Sequence, residues 1–334
     1  MRRRTLLSAV CAAGAGLAGI HATGIGIGRG AAASTYPSRP LTLIVPFAPG
    51  SSVGINARLL APHLARTLGQ SVELQFEGGS GGIAGHLLGE EAAADGYTLT
   101  MVSASLTTQP WLNRAAVATP ENFDFIGQVT SIPSVLLVRD DSRDRSLADL
   151  VATLRAWPES VATGTMVGWW PPALAQALFT ARAAIKPRVV SSYYSGAALV
   201  ESLAQRQLDF AVVGLADLAP SLDAGRLRAL AATARTPALP ATPSFQEQGW
   251  DVTTAWWRGL AVPKDTPAER TSRLSTALRE ALASAALRAD FARNGLSVDP
   301  LDAPVFGRFV LDEYQAIGGL FAALGLNVRA AKPA

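Results

Sequence analysis

Four short glycine- and serine-rich stretches contain the residues best suited to bind a small molecule. They lie at 48–54 (APGSSVG), 78–82 (GGSGG), 163–168 (TGTMVG) and 191–196 (SSYYSG), and none contains a charged side chain. Glycine lets a ligand approach the backbone, and serine and threonine hydroxyls add hydrogen-bond donors. Where such a stretch precedes a helix, free backbone N–H groups and the helix dipole attract an anion. Any one stretch is explained by the glycine that tight turns need, but the four together predict an anion site built from uncharged groups.

Two of the glycine patterns match cofactor or catalytic motifs, and we expect neither to act as one. Residues 14–19 fit the G-x-G-x-x-G dinucleotide pattern, but they follow no strand and lie in a leader segment. Residues 78–82 fit G-x-S-x-G, which would make Ser80 the nucleophile of a hydrolase. The only histidine after Ser80 is His86, in the adjoining helix-like segment, so a triad lacks its base. We predict no catalytic residues, and a Ser80 hydrolase is the weakest alternative.

Residues 1–33 have the make-up of an export signal. Arginines at 2–4 precede an apolar stretch that runs to about residue 27, and an Ala-Ala-Ala sequence at 31–33 offers a cleavage site near Ala33. The Arg-Arg-Thr-Leu-Leu sequence at 3–7 fits the twin-arginine signal of bacteria, with Sec export and an uncleaved membrane anchor as alternatives. The sequence therefore predicts a protein of the periplasm.

Charge and cysteine content exclude several kinds of partner. The chain has 29 basic and 26 acidic residues, and cleavage of the leader would leave 25 and 26, which removes the basic character that a nucleic-acid partner needs. Cys11, the single cysteine, would leave with the leader. Only His63 and His86 remain as histidines, both in helix-like segments, so we expect no disulfide, no metal site and no cofactor.

Strand-like and helix-like segments alternate and must position these stretches. Strands are predicted at 41–47, 72–76 and 97–102 near the start, and helices at 55–68, 83–94, 266–294 and 304–324. The alternation predicts an α/β protein with parallel sheets. About 301 residues without the leader favour two domains, which we place at 34–130 with 250–334, and at 131–249. Because ligands of such folds bind at the carboxyl ends of strands, we expect a ligand cleft between the two domains.

Several motifs resemble one family of bacterial receptors. They are YPSRPLTLIVPFAPG (36–50), GGSGGIAG (78–85), DGYTL (95–99), AGRLRALAATARTPALPATPSFQEQG (224–249) and GLAVPKDTP (259–267). In this order they are similar to the solute-binding receptors of tripartite tricarboxylate transporters, often called Bug proteins. The resemblance implies two Rossmann-like α/β domains of the periplasmic binding protein type II kind.

The resemblance also implies a function. Such receptors close over a small carboxylate, hold it mainly through backbone N–H groups, hydroxyls and water, and deliver it to subunits of a membrane permease. We expect a monomer that binds no nucleic acid. The candidate ligand-binding residues come from the glycine-rich stretches and neighbouring strand ends: Phe47, Ala48, Gly50, Ser51, Ser52, Ser80, Gly81, Ser103, Ser105, Thr163, Thr165, Trp169, Tyr194 and Gly214.

Some positions depart from the family pattern. Val53-Gly54 stands where relatives usually have Thr-Asp, Ile83 replaces an asparagine, and Ser195 replaces a lysine after Tyr194. One interpretation is a receptor for a less polar or aromatic ligand. The other is a sensing or interaction protein in which carboxylate binding is weakened.

Aromatic side chains are the candidates for holding a less polar ligand. Trp169, Trp170, Tyr193 and Tyr194 could stack on it, because they lie in or next to the third and fourth glycine-rich stretches. The tryptophans at 157, 250, 256 and 257 are equally explained by packing in a core or between domains.

Overall fold

The computed structural model describes residues 36–113, 117–218, 225–294 and 296–326, so the predicted export signal lies outside the described residues. Five strands form the first sheet: β1 (Leu41–Val45), β2 (Val72–Phe76), β3 (Thr98–Ser103), β4 (Phe123–Thr130) and β10 (Arg258–Pro263). Their spatial order is β2-β1-β3-β10-β4. β1 is parallel to β2 and β3, whereas β10 is antiparallel to β3 and β4.

A second sheet repeats this arrangement. It contains β5 (Ser134–Arg139), β6 (Ala162–Met166), β7 (Arg188–Tyr193), β8 (Phe210–Gly214) and β9 (Leu227–Ala232), in the order β7-β6-β8-β5-β9. β6 is parallel to β7 and β8, and β5 is antiparallel to β8 and β9. The predicted α/β class is therefore confirmed. The predicted parallel sheets are found only in part, because one strand of each sheet, β10 or β5, runs antiparallel to its neighbours.

The antiparallel strands follow from the route of the chain. Residues 131–133 lead directly from β4 in the first sheet to β5 in the second, and residues 233–257 return from β9 to β10. Parallel neighbours need a long crossover, usually a helix, and neither β5 nor β10 is reached through a crossover within its own sheet. Each therefore inserts antiparallel beside a parallel trio of strands.

Helices connect and cover the strands. Those between strands are α1 (Ser52–Leu68), α2 (Ile83–Glu90), α3 (Ser105–Leu112), α4 (Leu147–Ala156), α5 (Pro171–Ala183) and α6 (Gly196–Ala204). Three more follow β10, namely α7 (Ala268–Ala283), α8 (Ala285–Arg293) and α9 (Ala303–Ala323). The single helix predicted for 266–294 is thus two helices, because Ser284 adopts an extended conformation between them. None of the described helices is long and apolar enough to cross a membrane.

The last helix, α9, contributes side chains to two hydrophobic clusters, one next to each sheet. Phe306 and Val310 in its first half pack in a cluster with Trp257, next to the first sheet. Ile317 and Phe321 in its second half are buried in the main cluster of the second sheet. Residues from Tyr36 onward group into one compact unit, and the predicted domain boundaries stay a prediction.

Candidate functional site

A cavity of about 210 Å³ lies beside the carboxyl ends of β1 and β3 and the start of β10. Most of its wall comes from the first sheet and the helices that follow its strands, and Trp170 reaches it from the residue before α5. The lining residues are Phe47, Ser51, Ser52, Val53, Ser103, Ala104, Ser105, Trp170, Trp256, Trp257 and Arg258. The cavity therefore lies where the two sheets of the fold meet.

The first glycine-rich stretch forms one wall by starting α1. Ser51 is the N-cap, and its Oγ accepts a hydrogen bond from the backbone N–H of Gly54 over 3.0 Å. A Cβ atom at Gly54 would lie 2.5 Å from the carbonyl oxygen of Ala48, so this turn has no room for a side chain. The aspartate that the resemblance implies at this position would not fit, and the first turn of α1 faces the cavity without an acidic residue.

The second glycine-rich stretch meets the first. A Cβ atom at Gly82 would lie 2.9 Å from the Phe47 ring and 3.1 Å from the Ser105 Oγ, so these three residues are in close contact. The hydroxyls of Ser103 and Ser105, both buried, lie 3.1 Å apart at the end of β3. Hydroxyl groups from β3 and α3 thus extend the row of donors that begins at α1.

Arg258 places a positive charge at this cavity. Its side chain is buried, with Nη1 donating to the carbonyl of Trp256 and Nη2 donating to the Ser52 Oγ, both over 2.7 Å. The Nε–H has no hydrogen-bond partner, and no carboxylate among the described residues forms an ion pair with this guanidinium. Burial lowers the pKa of Arg258 to about 10, so the group is still a cation at neutral pH.

Tryptophans form the apolar wall. The rings of Trp170 and Trp256 are stacked, with centroids 5.2 Å apart and planes inclined by 22°. Trp170 immediately precedes helix α5 of the second sheet, and Trp256 lies in the segment that returns to the first sheet, so this contact joins the two halves of the fold. Trp257 is fully buried, and its indole N–H donates to Glu313 of α9.

The structure brings together only some of the predicted site residues. Phe47, Ser51, Ser52, Ser103 and Ser105 line the cavity. The other candidates from the first two stretches lie beside it, in turns that are exposed or partly exposed: Ala48, Gly50, Ser80 and Gly81.

Candidates from the third and fourth stretches lie elsewhere. Thr163 is buried, and its hydroxyl donates to the carbonyl of Phe210 over 2.9 Å. Thr165 and Trp169 line a different cavity, and Tyr194 is 90% exposed. A Cβ atom at Gly214 would lie 3.5 Å from the Trp256 Nε1, so only this candidate of the second sheet comes near the first cavity.

The sequence-based list of site residues does not contain five of the lining residues: Val53, Ala104, Trp256, Trp257 and Arg258. Of the two neighbouring tryptophans named as candidates for stacking on a ligand, Trp170 lines this cavity and Trp169 lines another. One signal was available. Arg258 lies in AWWRGLAV (255–262), an otherwise apolar run that is typical of a buried strand. Arginine is almost never fully buried unless it is paired, so a charge in such a run marks a site.

Catalytic and metal chemistry find no support in the described residues. The nearest histidine to Ser80 in sequence, His86, is buried in α2 with an unpartnered Nε2, and burial lowers its pKa to about 3. His63 lies within 2.8 Å of Asp290, at the other end of α1 from the cavity. The described residues contain no cluster of histidine, cysteine, aspartate or glutamate suited to a metal ion.

Comparison with known proteins identifies the family. The sequence model of the tripartite tricarboxylate transporter family receptor, TctC, matches residues 56–326. Protein BugT of Bordetella pertussis is 30% identical over 320 residues, which cover 93% of this chain and 97% of BugT.

Solved structures agree with this result. A TctC solute-binding protein from Polaromonas is 25% identical with a TM-score of 0.80, covering 86% of this chain and all of that one. An R. palustris protein solved with adipate is also 25% identical, with a TM-score of 0.59 and coverage of 87% and 98%.

These matches confirm the predicted resemblance and the two-part α/β fold of periplasmic binding proteins. They also exclude the Ser80 hydrolase, since the proteins of this family are solute-binding receptors and not enzymes. The chain belongs to the family of tripartite tricarboxylate transporter receptors.

Proposed function

We propose that this receptor captures a small organic carboxylate in the cavity beside Ser52, Ser105 and Arg258, and delivers it to a tripartite tricarboxylate-type membrane permease. The observation that carries the proposal is the Arg258 guanidinium, which lies at the cavity wall without a carboxylate partner. A carboxylate ligand would supply the missing negative charge. The chain's own hydroxyl groups would supply further hydrogen bonds.

The first turn of α1 supports an anion at this place. Ser51, Ser52 and Val53 all line the cavity, so the N-terminal end of a 17-residue helix faces it. Backbone N–H groups and the helix dipole make such an end attractive to anions. The relative from R. palustris was solved with adipate, a carboxylate, which agrees in ligand class.

The transport role rests on the family and on the leader. The receptor would be exported through the signal at 1–33. It would then capture its ligand by closure of the two α/β halves and hand it to permease subunits. The chain passes between the two sheets at residues 131–133 and 233–257, and these two segments would act as the hinge. The receptor would work as a monomer in the periplasm.

A ligand screen on the mature protein, starting at residue 34, tests the proposal. We expect at least one acid in a panel of aliphatic, aromatic and hydroxylated carboxylates to raise the melting temperature and to give a binding isotherm. The corresponding primary amides, of similar shape but without charge, should have no effect. A natively folded protein that none of the acids stabilises at millimolar concentration would contradict the proposal.

A further inference from the structure

We propose that Arg258 pairs directly with the ligand's carboxylate, and that the ligand is a monocarboxylate with an apolar or aromatic body. This inference rests on the proposed function, because it takes the same cavity as the ligand site. It adds the identity of the pairing residue and the chemical class of the ligand.

Arg258 is a buried cation without a counter-charge among the described residues. Arg258 is 4% exposed. Its guanidinium donates two hydrogen bonds, one to the Trp256 carbonyl and one to the Ser52 Oγ. Burying a cation without a counter-charge is costly, and buried charges in proteins are therefore paired. Since no carboxylate of the described chain pairs with it, the partner that the geometry calls for is a ligand entering the cavity.

Ser52 gives this pairing its second contact. Its Oγ accepts from the Arg258 Nη2, which leaves the hydroxyl proton free to donate to a ligand. An arginine flanked by a hydroxyl donor can bind both oxygens of one carboxylate, and such charge-assisted hydrogen bonds are among the stronger ones. The two residues also fix each other's position before the ligand arrives.

The rest of the wall favours only one charged group. Beyond Arg258 and the serines, the lining is apolar and includes Phe47, Val53 and three tryptophans. A second carboxylate in the cavity would be desolvated without a cation to offset it. The volume of about 210 Å³ is below the roughly 300–1,000 Å³ of pockets for drug-sized ligands, so the body is small.

Asp217 adds a negative charge near the far side of the aromatic wall. A Cβ atom at Gly214 would lie 3.2 Å from the Asp217 Oδ2 and 3.5 Å from the Trp256 Nε1, which places the carboxylate near that tryptophan. A Cβ atom at Gly196 would lie 2.1 Å from the same oxygen, so Asp217 covers the start of α6. Asp217 thus places a negative charge between the start of α6 and Trp256, where it would repel the second carboxylate of a dicarboxylate.

Titration calorimetry with matched acids tests the ligand class on the unaltered protein. Hexanoate and adipate differ by one terminal carboxylate, and benzoate and terephthalate differ in the same way. We expect each monocarboxylate to bind at least tenfold more tightly than its dicarboxylate. Equal or tighter binding of the dicarboxylates would overturn the ligand class. If no acid of a wide panel binds, the proposed function itself fails.

Substitutions test the pairing. Arg258→Gln should weaken the tightest-binding acid by at least tenfold, whereas Arg308→Gln, which removes the same charge from an exposed site, should not. Arg258→Gln with native circular dichroism and unchanged affinity would overturn the pairing. If that variant does not fold, Arg258→Lys is the second test. Loss of affinity with a retained fold supports the two-point contact of the guanidinium, and unchanged affinity contradicts it.

A separate substitution tests the role of Asp217. Asp217→Asn should tighten adipate binding several-fold and leave hexanoate binding unchanged. An unchanged ratio of the two affinities would show that Asp217 does not disfavour dicarboxylates.

Discussion

The indole N–H of Trp257 donates to the Glu313 carboxylate over 2.8 Å in the interior of the protein. Thr107 of α3 donates to the same oxygen over 2.9 Å, so one buried carboxylate joins the residue before Arg258 to helices α3 and α9. Burial raises the pKa of Glu313 to about 7, against the hydrogen bonds that lower it. Trp257, which lines the cavity, is therefore hydrogen-bonded to a carboxyl group that titrates near neutral pH.

Glu313 should make stability fall as pH rises. Its pKa is about 4.5 in the unfolded chain and about 7 in the fold, so the folded state binds the extra proton between these values. The stability that the protonated group contributes is complete below about pH 4.5 and is lost as pH rises through about 7. Glu313→Gln should remove on the order of 2–3 kcal/mol of this pH dependence.

Urea denaturation of both proteins between pH 5 and pH 8.5 measures this effect. The difference in unfolding free energy between wild type and variant should change across that range. Glu121→Gln, at an exposed position, serves as the control and should leave the profile parallel to the wild type. If the profile of Glu313→Gln is also parallel to that of the wild type, Glu313 does not have a raised pKa in the folded protein.

Trp257→Phe should destabilise the protein without changing the charge of the site. It removes a donor from the buried Glu313 and leaves a small void, which we expect to cost about 1–3 kcal/mol. The loss should be larger at pH 8.5 than at pH 5, because the ionised carboxylate depends more on its donors. Equal losses at the two pH values would contradict this view of the hydrogen bond.

Trp170→Ala should weaken ligand binding more than it weakens the fold. Trp170 is 37% exposed and contributes its ring to the cavity and to the stack on Trp256. We expect a loss of about tenfold in affinity from calorimetry, with partial recovery in Trp170→Phe. Trp157→Ala, which truncates a tryptophan that is 68% exposed and away from the cavity, is the matched control and should bind normally.

Gly54→Asp introduces the residue that the resemblance implies at this position, and we expect it to damage the protein. Its Cβ would lie 2.5 Å from the Ala48 carbonyl oxygen and 2.7 Å from that of Pro49, and its carboxylate would add a negative charge to the first turn of α1, next to Val53 of the cavity lining. We expect a loss of about 1–3 kcal/mol in stability and of ligand affinity. Gly54→Ala separates the causes: it should share the loss of stability, and any further loss of affinity in the aspartate variant reports the charge.

Features that depend on neighbouring residues can be predicted from the sequence of this protein. The stretch at 48–54 turns and caps a helix because Ser51 and Gly54 are three residues apart, and the order of strands and helices follows local periodicity. The motifs at 36–50 and 224–249 together indicate the family. Such features can be predicted from the sequence because their contacts join residues that are only a few positions apart.

Which of these features share a site depends on contacts between distant parts of the chain. Arg258 reaches Ser52 across 206 residues of sequence, and Trp170 stacks on Trp256 from the other half of the fold. These contacts exist because the chain leaves the first sheet after β4 and returns as β10, between β3 and β4. That route depends on how two sheets pack and is not encoded in any local pattern. The apolar run at 255–262 marks Arg258 as unusual, but only the tertiary structure places its guanidinium beside Ser52.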